Sequence, residues 1–346
     1  MADTIKFAVV GCGHIGKRHA TIIQAHPKCE LSALCDIRPK KDLALTACSV
    51  PFFDDLEELL RADLTLDVVC ICTPNGLHAV QCLRVLDQGL HVVCEKPMAL
   101  SRADCEAVIH KALQVSRQVF CVMQNRYSPP SIWLKEIIDA QRLGDILMVQ
   151  ANCYWNRDDR YYYQQGEAHP WHGTANLDGG TLYTQFSHFI DTIYWLFGDL
   201  HNIEARFADF THRQSTAFED SGVVHFDFVR GGMGSLNYST AVWNRNLESS
   251  LTVIGSRGSV KVGGQYMNQV EYCHIADYEM PTLPAANPAN DYGAYQGSAA
   301  NHHYVIENVV EVLQNGKSIK TNALEGLKVV DIIERIYAKK KGPYIQ

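Results

Sequence analysis

The chain has 346 residues, which at ~150 residues per domain points to about two domains. Hydrophobic residues make up 47% and charged residues 20%, an ordinary globular balance that excludes extensive disorder. Lysine plus arginine number 31 against 38 aspartate plus glutamate, a net charge of −7 that argues against a nucleic-acid or anionic-membrane partner.

In chain order, residues 5–10 read as a strand and 14–25 as a helix. Residues 31–35 are a second strand and 67–72 a third, followed by a helix over 77–88. Residues 91–94 are a fourth strand, 103–115 a helix and 119–123 a fifth strand. Strands that are apolar throughout and separated by helices indicate a parallel sheet covered on both faces, hence a doubly wound α/β domain over residues 1–125.

The pattern then changes. A helix over 132–140 precedes a long strand at 146–155, a polar aromatic-rich loop, and a helix over 182–196. Strand-like runs follow at 203–210, 222–228, 233–238, 250–254, 259–262 and 270–274, several of them separated by glycine turns. This predicts a second α/β domain over 126–346 with an open, mostly antiparallel sheet. Residues 281–296, rich in Pro, Ala, Asn and Gly, read as a loop. Helices over 304–313 and 324–339 close the chain, the last expected to pack back on the first domain.

Gly11-Cys12-Gly13-His14-Ile15-Gly16 is a G-x-G-x-x-G between the first strand and the first helix, the context a dinucleotide site requires. Gly11 suits the tight turn, Gly13 admits a pyrophosphate, and Gly16 permits close helix–strand packing. The helix N-terminus then favours the phosphates. Asp36, 20 residues after Gly16, would bind an adenosine ribose and favour NAD over NADP, with Ile37 beside it. Arg38 nearby works against that preference, since an arginine can hold a 2′-phosphate. Thr73-Pro74-Asn75 ends the third strand, His78 sits on the next helix, and Glu95-Lys96-Pro97 ends the fourth strand. All fall at the carboxyl rim, where open α/β sheets bind ligands. Taken alone, Thr73-Pro74-Asn75 is equally a simple turn and cap.

The glycine motif, Thr73-Pro74-Asn75-x-x-His78 and Glu95-Lys96-Pro97 together resemble the glucose–fructose oxidoreductase/inositol dehydrogenase (Gfo/Idh/MocA) family, over essentially the whole chain. The resemblance implies a Rossmann domain, a C-terminal α/β domain with an open sheet, and sugar or polyol oxidation at their interface. It implies that Glu95 and Pro97 shape a turn with a cis Lys96–Pro97 bond, and that Lys96 enters the site. Further segments are similar to the UDP-N-acetyl-2-amino-2-deoxyglucuronate (UDP-GlcNAcA) 3-dehydrogenases of surface-polysaccharide biosynthesis. These are Gln124-Asn125-Arg126, Tyr161-Tyr162-Tyr163, Pro170-Trp171-His172-Gly173-Thr174, Asp178-Gly179-Gly180, Gln185-x-x-His188 and the pattern from Asn246 to Asn268. Two positions depart from those enzymes: His172 stands where they tend to have arginine, and Thr184 where they have asparagine.

Oxidation of a secondary alcohol needs a hydride acceptor and a group that takes the hydroxyl proton. Lys96 and His188 are the candidates. His188 suits a base at neutral pH, with an ordinary pKa of ~6.5, and Lys96 would polarise the hydroxyl. Lys96 is itself a base if burial and positive neighbours depress its pKa. On one continuous helix Thr184 and His188 are four residues apart and share a face bordered by Gln185. A lone histidine on an apolar helix is otherwise a satisfied core residue.

Asn125, Arg126, Arg157, Arg160 and Tyr163 are candidates for holding a diphosphate or carboxylate, with Thr184 and Gln185 beside them. Each is equally legible as a surface charge or interface residue. Gln124 joins the cofactor set of Gly11, Gly13, His14, Ile15, Gly16, Asp36, Ile37, Thr73, Pro74, Asn75, His78, Glu95 and Lys96. His169-x-x-His172 lies in a loop with no cysteine nearby and no third histidine at ligand spacing, so no metal is expected.

The reading is therefore an NAD(H)-dependent dehydrogenase of a small-molecule sugar nucleotide, forming a homo-oligomer, a tetramer by the family resemblance. Alternatives are an inositol or free-sugar dehydrogenase, an NAD-assisted glycosidase, or a non-catalytic NAD(H)-binding regulator that would need neither Lys96 nor His188. No apolar run approaches the ~20 residues of a spanning helix, so no membrane partner is expected. Residues 1–6 lack the basic start and apolar core of a signal peptide. Twelve scattered cysteines without a Cys-x-x-Cys read as reduced thiols, and the location expected is the cytoplasm.

Overall fold

The structure is a computed structural model that describes residues 4–342 and 344, apart from 47, 165 and 294. The chain divides into two compact units, one of residues 1–123 with 302–330 and one of residues 124–301 with 331–346. The returning segment 302–330 therefore contributes one whole helix and half of another to the first unit.

The first unit is built on β1 (Ile5–Val10), α1 (His14–Ala25), β2 (Cys29–Cys35), β3 (Phe52–Phe53), α2 (Leu56–Arg61), β4 (Val68–Ile71), α3 (His78–Asp87), β5 (His91–Cys94), α4 (Arg102–Gln114) and β6 (Val119–Cys121). The strands form one sheet in the order β3-β2-β1-β4-β5-β6, with every pair parallel. Every residue of β4 is buried, as is all but the first of β5, because helices cover both faces of a parallel sheet. This is the doubly wound fold expected. It has six strands rather than five, since the two-residue β3 carries too little pattern to read. The short α2 announces itself only by its cap, in which the Asp55 carboxylate accepts from the Glu57 and Glu58 N–H groups at 2.8 and 3.1 Å.

The second unit holds α5 (Pro129–Asp139), β7 (Ile146–Tyr154), α6 (Asp159–Tyr162), the small pair β8 (Tyr163–Gln164) and β9 (Glu167–Ala168), and α7 (Ser187–Phe197). Then come β10 (Leu200–Ala208), β11 (Ser221–Phe228), β12 (Met233–Ser239), β13 (Glu248–Gly255), β14 (Gly258–Gly263), β15 (Gln269–Ile275), β16 (Ala289–Asp291) and β17 (Gln296–Ala299). Seven strands form an open sheet in the order β10-β11-β12-β7-β13-β14-β15, antiparallel except where β12 runs parallel to β7. Val224, Phe226 and Phe228 alternate inward on β11, and Leu236, Tyr238, Leu251 and Val253 continue that buried face.

The chain closes with α8 (His302–Asn315) and α9 (Ala323–Tyr337). Two expectations are corrected here. The stretch expected as a loop contains the β16–β17 hairpin, whose two strands are three and four residues long. The helix expected over 182–196 is not one α-helix. Residues Leu182–Phe186 form a π-helical turn, and α7 begins only at Ser187, after Phe186 departs from helical geometry at φ −117°. Across this wider turn the four-residue α-helical alignment of Thr184 with His188 does not form.

Candidate active site

In the first unit the glycine turn has the geometry its sequence demands. Gly11 has φ +86°, and a Cβ there would lie 2.6 Å from the backbone of Cys72. A Cβ on Gly16 would lie 1.8 Å from Gly11 O, so α1 packs against the turn only with glycine. At Gly13, by contrast, a Cβ would meet only Arg38, at 3.9 Å, leaving the backbone open to a ligand. His14 and Ile15 open α1, whose N-terminus faces that opening.

Asp36 is buried at the end of β2. Its carboxylate accepts from Cys12 N–H at 2.7 Å, from Arg38 N–H at 2.9 Å, and from the Arg38 guanidinium at 3.2 and 3.3 Å. Burial opposes its ionisation, but the bonds from Arg38 and Cys12 outweigh burial and hold the carboxyl below its ordinary range. Ile37 beside it is exposed. These groups fit a dinucleotide: an open backbone cradle, a helix N-terminus, and an ionised carboxylate fixed where a ribose would lie.

His78 couples two rim turns. Its Nδ1 lies 2.7 Å from Pro97 O and its Nε2 lies 2.8 Å from Thr73 O. Burial drives the ring towards its neutral form, in which only one of these contacts is a hydrogen bond. Thr73 Oγ1 donates to Gln81 at 2.6 Å, and Asn75 is buried beside Pro74 in a short 3₁₀ turn. The Lys96–Pro97 peptide is cis. Glu95 is buried against His19, whose Nε2 lies 2.9 Å from Glu95 Oε1. Burial alone would raise the Glu95 carboxyl, but the hydrogen bond from His19 and the charges around it hold it down at about 2. Glu95 is thus a fixed anion next to Lys96, which is half-buried. Neither His19 nor its partner His302 was expected from sequence. His19 stands three residues after Gly16, on the buried face of α1, and offers only that weak signal.

The second unit places the remaining candidates. Gln124, Asn125 and Arg126 are buried in a 3₁₀ turn. Gln124 O accepts from Asn301, and Asn125 Oδ1 accepts from Ser298 Oγ. Arg126 grips Asp191 of α7 with two bonds of 2.8 and 2.6 Å. Arg157 is fully buried. Its guanidinium lies 4.8 Å from the ring of Trp155, 5.3 Å from Tyr161 and 4.9 Å from Tyr295. It donates to Gln185 Oε1 at 2.7 Å, Asn156 O at 2.6 Å and Gln296 O at 3.1 Å. Arg160, half-exposed, forks onto Asp158 and caps Asn244 O. The three arginines proposed as anion partners thus each have protein partners of their own.

Tyr163 OH lies 3.4 Å from Gln214 O. His172 is stacked between Tyr161, at 4.1 Å, and His169, at 3.7 Å. Thr184 bonds Asp178 rather than standing over His188, and Gln185 bridges Arg157 to Tyr161 OH. His188 is buried in the first turn of α7, one turn before the Asp191–Arg126 pair.

Residues 5–123 match the oxidoreductase family with an NAD-binding Rossmann fold, and residues 132–261 match the GFO/IDH/MocA C-terminal domain. The chain is similar to the WlbA dehydrogenase of Bordetella pertussis, solved in complex with NADH and UDP-GlcNAcA. The two share 31% identity with a TM-score of 0.85, over 97% of this chain and 96% of that one. The inositol 2-dehydrogenase of Salmonella typhimurium is 29% identical over 201 residues, 57% of this chain and 55% of that protein, so the match spans about half its length. The inositol 2-dehydrogenase of Rhizobium meliloti is 24% identical over 98% of both chains.

Proposed function

Because the chain belongs to the Gfo/Idh/MocA oxidoreductase family, we propose that it is an NAD-dependent dehydrogenase that oxidises the 3-hydroxyl of UDP-GlcNAcA to the 3-keto sugar. The observation that carries this reading is the likeness, along nearly its whole length, to the WlbA dehydrogenase solved with NADH and UDP-GlcNAcA. Bound NAD supplies the hydride acceptor. The chain's own residues do the rest. The glycine turn and Asp36 hold and orient the dinucleotide. His188 takes the hydroxyl proton, and Lys96 holds the hydroxyl oxygen through its ammonium group. Thr184, Gln185, Asn125 and Tyr163 shape the substrate side.

A homo-oligomer, expected as a tetramer, goes with this reading. Ile254 pairs with Met148 and Met148 with Met233 across three neighbouring strands, and all three are exposed, an apolar ridge that suits a second copy. A cytoplasmic location is supported by twelve free cysteines. No helix among the described residues is long and apolar enough to cross a membrane.

The test is NADH formation with NAD and a panel of UDP-GlcNAcA, UDP-GlcNAc, myo-inositol and glucose 6-phosphate. Preference for UDP-GlcNAcA by about tenfold or more in kcat/KM, the scale of one charge-assisted contact, supports the proposal. Equal use of UDP-GlcNAc shows that no carboxylate is read and overturns the substrate. Preference for inositol supports the second reading, favoured by the similarity to inositol 2-dehydrogenases.

A further inference from the structure

His302 opens α8, the helix by which the returning segment joins the first unit. Its side chain is buried, and neither ring nitrogen has a hydrogen-bond partner among the described residues. Leaving a buried polar group unsatisfied costs about 1–3 kcal/mol. A residue that only filled this space would be better apolar. What the ring faces explains its polarity. His302 Nε2 stands 3.6 Å from Glu95 Oε1, the oxygen that meets His19 Nε2 at 2.9 Å. The two imidazoles lie edge-on, with centroids 5.6 Å apart and planes at 85°. One carboxylate oxygen is therefore enclosed by a ring from α1 and a ring from α8.

The charges around it favour a neutral donor there. Burial pushes the His302 pKa down to about 3 against the attraction of Glu95, and the positive charges of Arg18 and Lys96 add to that effect. A neutral ring can turn an N–H onto the carboxylate without adding a further cation. The three ligand atoms also lie within 4.8 Å of one another, as a zinc site would require. The same Arg18 and Lys96 charges oppose a dication, so a dipolar contact from a neutral imidazole is the better account.

We propose that His302 is a positioning residue for Lys96: while His19 hydrogen-bonds the Glu95 carboxylate at 2.9 Å, His302 closes the other side of the same oxygen in polar contact at 3.6 Å, and the pair fixes the turn from which the adjoining lysine is presented. This rests on the reading of Lys96 as a catalytic group. Glu95 supplies the turn's anchor, and Lys96, the next residue, inherits its orientation through one peptide unit.

The experiment compares His302→Phe, which keeps a ring without nitrogens, with His302→Gln, which restores an N–H donor, and with Lys96→Met. Turnover is measured on the best substrate of the panel, and NAD(H) affinity by titration. In a second arm, acetic anhydride labels Lys96 in competition with the exposed Lys28. His302→Phe should lower kcat about tenfold or more with KM and NAD(H) affinity held within about twofold, the signature of a misplaced group. It should also change the relative labelling of Lys96 about threefold or more, and His302→Gln should recover most of both losses. Unchanged kcat and labelling in His302→Phe overturn the proposal. So does an equal loss in both variants accompanied by lost NAD(H) binding, or a stoichiometric zinc that His302→Phe removes. Full turnover by Lys96→Met refutes the catalytic reading of Lys96 instead, and labelling alone then judges His302.

Discussion

Glu219 offers a quantitative test of the second unit. It is fully buried, and its Oε1 accepts from Tyr238 OH at 2.9 Å and from Tyr337 OH at 2.7 Å. Tyr337 OH in turn accepts from Leu182 N–H at 3.0 Å, at the start of the π-helical turn that leads to His188. Burial raises the Glu219 carboxyl from 4.5 to about 7, against the lowering influence of the two tyrosines. The folded state thus favours the protonated acid. That contribution to stability is fully present below pH 4.5 and is lost as pH rises through about 7. At about 1.4 kcal/mol per pH unit, the full swing is about 3 kcal/mol, of which about 2 falls between pH 5 and pH 8. Glu219→Gln keeps an acceptor for both tyrosines and removes the ionisation. Urea unfolding of both proteins from pH 5 to 8 isolates it, because the other titrating groups cancel in the difference. The variant should gain about 2 kcal/mol relative to the unmodified protein across that range. A difference that stays constant to within about 0.5 kcal/mol would refute the reasoning.

Asp36→Ala removes the carboxylate that holds both Cys12 N–H and Arg38, so NAD should bind about tenfold more weakly while NADP improves relative to it, read by fluorescence titration. Lys96→Met and His188→Asn should each lower turnover by about 100-fold or more with NAD binding retained, as expected for proton-transfer groups. A His188 variant with near-normal kcat would return that residue to the core. Asp191→Asn leaves the Arg126 guanidinium buried without its anion and should destabilise the fold by about 3–5 kcal/mol in denaturant titration, far more than an exposed pair such as Arg102–Glu106.

Much of this protein was legible in local pattern. The glycine turn, the apolar runs of β4 and β5 and the alternation along β11 each encode a conformation within a few residues, and the sheet classes follow from them. What the sequence could not carry was partnership across distance. Arg126 meets Asp191 across 65 residues and Arg157 meets Gln296 across 139, so arginines that read as free anion ligands prove to be engaged. Glu95 and His302 are brought together only because the chain returns to the first unit after building the second sheet. The π-helical turn is equally invisible, since residues 182–196 carry the same largely apolar run that an unbroken buried α-helix would carry. Two contacts go with it: Tyr337 OH accepts from Leu182 N–H at its start, across 155 residues, and Asp178 O accepts from Thr184 Oγ1 at its middle. Local pattern determines which segments are strands and helices. Which polar groups neutralise one another is decided by topology, because burial makes each such group take whatever partner the fold delivers.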